Sequence, residues 1–186
     1  MRRAALVGVL ALVVGTGCIG TAAKQAVYGV TGASARYYEI KSAGGETALD
    51  RFNAVGVAAF DPSPMQGAVP AAIPQKVQAA VVKHLTESKM FPAVTAGTPP
   101  AGGLLVRGKF MDFDPGGSAL RAMGFGVDPF LTAQIELVDA GSNQVIGMAM
   151  VTGTVKSAVR TGLDELADGV GKAVKGLVER HHSKHD

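Results

Sequence analysis

The side chains that could do chemistry are few in this sequence, and they lie far apart. The 186 residues include one cysteine and four histidines. The single cysteine, Cys18, excludes an internal disulfide and a zinc site built from several cysteines. His84 has no cysteine or second histidine near it in sequence, so we interpret it as a residue on the flank of a helix. The other three, His181, His182 and His185, could hold a transition metal, but we expect them in a solvated polar tail.

Carboxylates and hydroxyls form no recognisable catalytic set either. Four aspartates lie at predicted strand ends or turns: Asp112, Asp114, Asp128 and Asp139. Paired carboxylates could serve acid–base chemistry or bind Ca²⁺, but this spacing matches neither a glycoside hydrolase nor an EF-hand. Ser63 and Ser118 fall in predicted loops, with no pattern that points to a Ser-His-Asp triad. We therefore predict no catalytic residues, no metal site and no cofactor.

The most distinctive polar and aromatic segment connects two predicted strands. It contains Arg121, Met123, Gly124, Phe125 and Gly126. Its Gly-x-Gly precedes a strand rather than opening a helix, which disfavours phosphate binding. Two interpretations stay open, a flexible strand connection and a contact loop whose phenylalanine and methionine meet a partner or a membrane. On the second interpretation, this segment is a candidate interaction loop.

The composition is that of a small globular domain with a nearly neutral surface. Hydrophobic residues make up 47% of the chain, aromatic residues 5%, and there is no tryptophan. The formal net charge is +3, from 18 basic and 15 acidic side chains. Without Arg2 and Arg3, which lie in a segment expected to be removed, 16 basic side chains face 15 acidic ones and leave +1. Such a balance gives no electrostatic case for nucleic-acid binding.

Residues 1–17 have the three-part layout of an export signal. Two arginines give a positive start, residues 4–14 are apolar, and small residues lead to Cys18. The apolar run is too short for a bilayer core, which takes roughly 20 helical residues. The segment resembles the lipobox of bacterial lipoproteins, whose cysteine receives a diacylglyceryl group; an ordinary signal peptide is the alternative. The resemblance implies a membrane anchor at Cys18, and Ile19 in place of aspartate implies the outer membrane, facing the periplasm.

The predicted organisation is a signal peptide (1–17), a lipid anchor and flexible tether (18–50), an α/β domain (51–180) and a polar C-terminal tail (181–186). Within the tether, Tyr37, Tyr38 and Ile40 form a hydrophobic island. The island could be free coil, or instead an edge strand or short helix docked on the domain.

Hydrophobic periodicity predicts a strand, a helix, three strands and a helix, at residues 52–60, 70–89, 104–113, 130–137, 145–155 and 162–180. This order predicts an α/β fold of the α+β type, with a mostly antiparallel sheet and both helices on one face. Gly162, Gly169 and Gly176 recur every seven residues in the last helix. They indicate a close approach to another backbone, unless they reflect sequence drift.

Several short motifs resemble a bacterial lipoprotein family catalogued as domain of unknown function 4410. They are Leu105-Val106-Arg107-Gly108, Arg121, Gly124-Phe125-Gly126 and the stretch Ile135-Glu136-Leu137-Val138-Asp139-Ala140-Gly141. The resemblance covers about residues 52–178. It implies an α/β fold related to the N-terminal modules of periplasmic and curli-secretion lipoproteins, and it implies no known reaction.

The sequence therefore favours a lipid-anchored envelope protein that binds or helps assemble another envelope component without catalysis. One alternative is a hydrolytic or metal-dependent envelope enzyme. Another is a structural lipoprotein that self-associates through its glycine-lined C-terminal helix.

Overall fold

The computed structural model describes residues 28–30, 33–65, 67–116, 128–156 and 162–183. Within these ranges lie seven strands, one turn of 3-10 helix at Ser63–Met65 and two α-helices. The strands are β1 (Tyr28–Val30), β2 (Ala33–Lys41), β3 (Ala54–Val57), β4 (Ala93–Ala96), β5 (Leu104–Asp114), β6 (Phe130–Asp139) and β7 (Gln144–Val155). The helices are α1 (Ile73–Ser88) and α2 (Leu163–Glu179).

The strands form one mixed sheet in the order β1-β2-β7-β6-β5-β3-β4. Neighbours from β1 to β5 are antiparallel, whereas β3 runs parallel to both β5 and β4. The mostly antiparallel sheet predicted from the sequence is confirmed, with two parallel pairs added at one edge. The pair β3–β4 is parallel because α1 connects the two strands as a crossover. Hydrophobic periodicity missed β4 because this strand has only four residues, three of them exposed.

Both helices cover one face of this sheet, and the core lies between. On β6 the residues that face the helices are completely buried: Leu131, Ala133, Ile135 and Leu137. The apolar stripe predicted for α1 is buried as well: Ile73, Val77, Val81 and Leu85. Alternation along the strands and four-residue spacing along the helix thus point to the same core, as expected for an amphipathic helix on a half-buried sheet.

Glycine lets α2 lie directly on the sheet. A Cβ placed on Gly169 would fall 2.8 Å from the Cα of Gly153 in β7, closer than a side chain tolerates. The seven-residue glycine spacing therefore did indicate a close backbone approach at Gly169, although Gly162 is the N-cap residue of the helix. The partner is the chain's own sheet. The hypothesis that the chain self-associates through a glycine-lined face of α2 is therefore wrong at Gly169, because the chain's own sheet already covers this position.

The packed domain begins earlier in the chain than residue 51. β2 pairs with β7 along its length, from Ala33 to Lys41. Tyr37 and Leu49 are buried in the core cluster. Of the three alternatives for the hydrophobic island, the strand is the one observed, although β2 lies inside the sheet and not at its edge. The predicted tether is corrected for residues 33–50, and residues 18–27 lie outside the described ranges.

The packed domain also ends later in the chain than residue 180. His181 and His182 are 2% and 6% exposed, where the sequence predicted a solvated tail. The backbone N–H of Leu49 donates to the carbonyl of His181 at 2.9 Å, and that of Ser183 donates to Asp50 at 2.8 Å. Residues 181–183 are held against the segment after β2, so they belong to the domain.

Among the described residues, neither helix has the length and hydrophobicity needed to cross a bilayer.

Candidate functional site

The sheet has a second face, which points away from both helices. Between the buried positions of β6 and β7, the intervening side chains are only half-buried. On β6 and β7 they include Thr132, Gln134, Glu136, Met148, Met150 and Thr152. Their contacts run across the strands: the Thr132 and Thr152 hydroxyls lie 3.0 Å apart, and the Gln134 amide donates to the sulfur of Met148 at 3.0 Å. We call this surface the open face.

One half of the open face carries an apolar strip, formed by Tyr38, Ile40, Met148 and Met150. Tyr38 is the register partner of Met150, and Ile40 lies in the β-bulge between Glu39, which pairs with Ala149, and Lys41, which pairs with Met148. Tyr38 and Ile40 are each 54% exposed, which makes them two of the three large apolar side chains exposed in the described part of the chain. The sequence pattern places Tyr37 and Tyr38 in one hydrophobic island, whereas strand alternation sends their side chains to opposite faces of the sheet.

The other half of the open face is charged. Arg107 and Glu136 are register partners on β5 and β6, and their side chains form an ion pair at 2.6 Å. Lys109 and Gln134 occupy the next outward row. Beside them lies a cleft of about 410 Å³, whose lining residues are Ala58, Ala59, Asp61, Arg107, Gly108, Lys109, Gln134 and Glu136.

Asp61 at the rim of this cleft is a turn residue. Its carboxylate accepts hydrogen bonds of 2.8 Å from both the backbone N–H and the hydroxyl of Ser63. These bonds hold the pKa of Asp61 below its ordinary value, with a smaller contribution from the charge of Lys109. Ser63, considered above as a loop hydroxyl, is thus occupied in starting the 3-10 turn.

His84 lies at the contact between the two helices. Its Nε2 is 2.7 Å from the carboxylate of Asp168, and its Nδ1 is 3.5 Å from that of Glu87. Burial raises the pKa of Asp168, but hydrogen bonds from Lys172 and His84 outweigh burial and leave that pKa below its ordinary value. The contact with Asp168 joins α1 to α2, whereas Glu87 lies one turn further along α1 itself. The histidine lies on the flank of α1 that meets α2 and is buried there.

The remaining predicted polar residues are dispersed. Asp139 accepts from the backbone N–H groups of Gly141 and Ser142 and pairs with Arg51, so it shapes a hairpin turn. Asp112 and Asp114 lie on β5, and Asp128 is exposed before β6. Within the described ranges, no three histidine, cysteine or acidic side chains form a group that could hold a metal ion.

Several predicted residues lie outside the described ranges. They are the lipidation site Cys18, the candidate loop residues Arg121, Met123, Gly124, Phe125 and Gly126, and also Ser118 and His185. Their predictions stand as made.

Comparison with known families decides the classification of this chain. A family model described as domain of unknown function (DUF4410) matches residues 30–158. The chain belongs to the DUF4410 family. The resemblance seen in the strand and turn motifs is therefore confirmed, and the matched region spans β2 to the end of β7. No curated protein matches the chain.

Solved structures of PelC share the fold of this DUF4410 domain at low sequence identity. A PelC variant from Paraburkholderia phytofirmans, crystallised as a dodecamer, is 15% identical, with a TM-score of 0.54 and coverage of 77% of this chain and 96% of that one. A second PelC dodecamer from the same organism is 16% identical, with a TM-score of 0.52 and coverage of 78% and 96%. A DUF330 protein from Xanthomonas campestris is 14% identical and reaches a TM-score of 0.41 over 67% and 78%.

Proposed function

We propose that this DUF4410 protein is a lipid-anchored, non-catalytic subunit of the cell envelope that assembles with copies of itself through the open face of its sheet. The observation that most supports this proposal is the apolar strip, in which Tyr38 and Ile40 are each 54% exposed. Apolar side chains that lie together on a surface mark interaction sites more often than single exposed ones do.

The proposed occupant of the strip is a second copy of this chain. PelC, which shares the fold, is a dodecamer in both of its solved structures described above, which makes self-assembly a reasonable property to test for this domain. Glu136 on β6 is the register partner of Met148 and borders the strip, and the charged side chains of Arg107 and Lys109 lie one strand further away, on β5. An apolar centre beside a polar rim is the usual arrangement of a protein interface.

The absence of a catalytic role is part of the proposal. It is supported by what the polar clusters do: Ser63 and Asp61 bind each other, and His84 connects two helices through Asp168. A hydrolytic or metal-dependent enzyme would need a nucleophile, an activated water or a metal beside such a base. The alternative, a hydrolytic or metal-dependent enzyme, would find its best location in the charged cleft beside Lys109 and Glu136.

The membrane anchor is proposed from the sequence. The export signal and Cys18 support lipidation, and Ile19 supports an outer-membrane location facing the periplasm. A Cys18→Ser variant is expected to lose incorporation of a radiolabelled fatty acid and to leave the membrane fraction, because it lacks the only thiol of the chain. Labelling equal to that of the wild type would refute the anchor.

Sedimentation velocity tests the assembly. In the Cys18→Ser background, the full chain is expected to sediment as an oligomer, and the double variant Tyr38→Ser/Ile40→Ser as a monomer. The matched control is Met111→Ser, which removes the third exposed large apolar side chain, 41% exposed, from a bulge on β5 outside the strip. A wild-type chain that stays monomeric at the highest concentration, or a double variant with unchanged mass, would refute the proposal.

A further inference from the structure

The end of the chain is held against β2 by a buried histidine with an unusual pair of partners. The side chain of His181 is 3% exposed. Its Nε2 lies 2.9 Å from a carboxylate oxygen of Glu39, and its Nδ1 lies 3.3 Å from the carbonyl oxygen of Gly45. Both partners are hydrogen-bond acceptors when Glu39 is ionised. The ring must therefore donate from both nitrogens to make both bonds, and only the imidazolium form can do so.

The other charged groups around this ring allow it to lose a proton without leaving Glu39 unpaired. Arg180, at the end of α2, places its Nε 3.0 Å from the same oxygen of Glu39. Asp50 accepts from the backbone of Ser183 and lies 3.4 Å from Nδ1 of the neighbouring His182. When His181 loses a proton, Arg180 still pairs with Glu39, so the half-buried carboxylate of Glu39 keeps a cationic partner. Deprotonation then removes one hydrogen bond of the ring and leaves no charged group without an opposite charge beside it.

The bond that a neutral ring gives up is the one that connects two parts of the chain. If Nε2 keeps its hydrogen for Glu39, the Nδ1 lone pair faces the lone pairs of the Gly45 carbonyl, and that contact becomes repulsive. Gly45 belongs to the segment 42–52, which follows β2 and packs through Leu49. The same segment is held to His181 by the Leu49 N–H bond to its carbonyl.

We propose that His181 is a proton-dependent clasp that closes the C-terminal residues 181–183 over segment 42–52 when its ring is protonated on both nitrogens, and loosens them when the ring loses one of these protons. Histidine is the side chain that ordinarily changes its charge within the physiological pH range. The clasp acts at the end of β2, but the inference does not depend on whether the open face self-associates.

Hydrogen exchange at the Leu49 amide tests the clasp in the full chain. Its protection factor, corrected for the intrinsic pH dependence of exchange, is expected to fall with rising pH by up to tenfold per pH unit, since one proton is linked to opening. A His181→Gln variant, which does not titrate, is expected to show a protection factor that is flat with pH. The matched control is His84→Gln, which removes a buried histidine at the helix contact and should keep the wild-type dependence.

Nitrogen-15 chemical shifts of the His181 ring give a second readout in the unmodified sequence. Both ring nitrogens are expected to be protonated at the pH where Leu49 is protected, and one proton is expected to leave over the same range in which protection falls. A ring that is neutral at every pH at which Leu49 is protected, a Leu49 protection factor independent of pH in the wild type, or an equal pH dependence in His181→Gln would each overturn the proposal.

Discussion

The contact between Gly153 of β7 and α2 predicts a large effect from a single added methyl group. A Cβ at this position would lie 2.6 Å from the carbonyl oxygen of Leu166 and 2.7 Å from the backbone nitrogen of Val170. These are backbone atoms of a buried helix, so they cannot rotate away as the end of a flexible side chain would. The variant Gly153→Ala must therefore push α2 off the sheet or distort β7.

The expected size follows from two opposed contributions. Overpacking a dense core costs typically 1–3 kcal/mol, and backbone contacts place this site at the upper end of that range. Replacing glycine by alanine inside a strand recovers roughly 0.5–1 kcal/mol of backbone entropy. The net loss of unfolding free energy is about 2 kcal/mol, which for a chain of this size lowers Tm by roughly 4–8 °C.

Thermal unfolding followed by circular dichroism measures this directly. The matched control is Gly45→Ala, where an added Cβ would meet nothing within 4 Å, so its Tm should stay close to that of the wild type. A Gly153→Ala variant as stable as the wild type would show that α2 does not lie against β7 as described.

Two further predictions concern charge and chain length. Because the pKa of Asp168 is lowered in the folded state, its carboxylate contributes stability above the unfolded pKa of about 3.9, and this stability is lost as the pH falls through the folded value. In Asp168→Asn, the free energy of unfolding should therefore fall less steeply below about pH 4 than in the wild type. An equal loss of stability in acid would contradict the His84–Asp168–Lys172 contacts. Removing residues 181–186 should lower the free energy of unfolding by about 2 kcal/mol. The truncation deletes two hydrogen bonds, from the Leu49 N–H to the His181 carbonyl and from the Ser183 N–H to Asp50, each worth about 0.5–1.5 kcal/mol. An unchanged melting curve would show that these residues form a solvated tail, as the sequence predicted.

The core elements were predictable because their patterns are long and regular. The stripe of α1 and the alternation of β6 each recur over several positions, such as Ile73 and Val77 or Leu131 and Ala133, and each indicates one buried face. The parallel edge was not predictable in the same way. β4 is too short and exposed for a period to show, and its pairing with β3 follows from the crossover through α1.

The candidate surface could be predicted only in part. Tyr38 and Ile40 stood out as hydrophobic residues in a polar segment, but the register with Met150 and Met148 depends on which strand β2 joins. That pairing brings together residues more than 100 positions apart in sequence, which no local pattern encodes. His181 was misjudged for the same reason, since its partners Glu39 and Gly45 lie near the other end of the domain.

Site-specific photocrosslinking tests most directly whether the open face binds a second copy of this chain. A photoreactive phenylalanine analogue at Tyr38 keeps an aromatic side chain in the strip, and the same analogue at the exposed Gln75 on α1 probes the helical side as a control. The account predicts crosslinked species of the chain with itself from position 38 and not from position 75. Crosslinks from position 75 alone, or from neither position in cells, would contradict it.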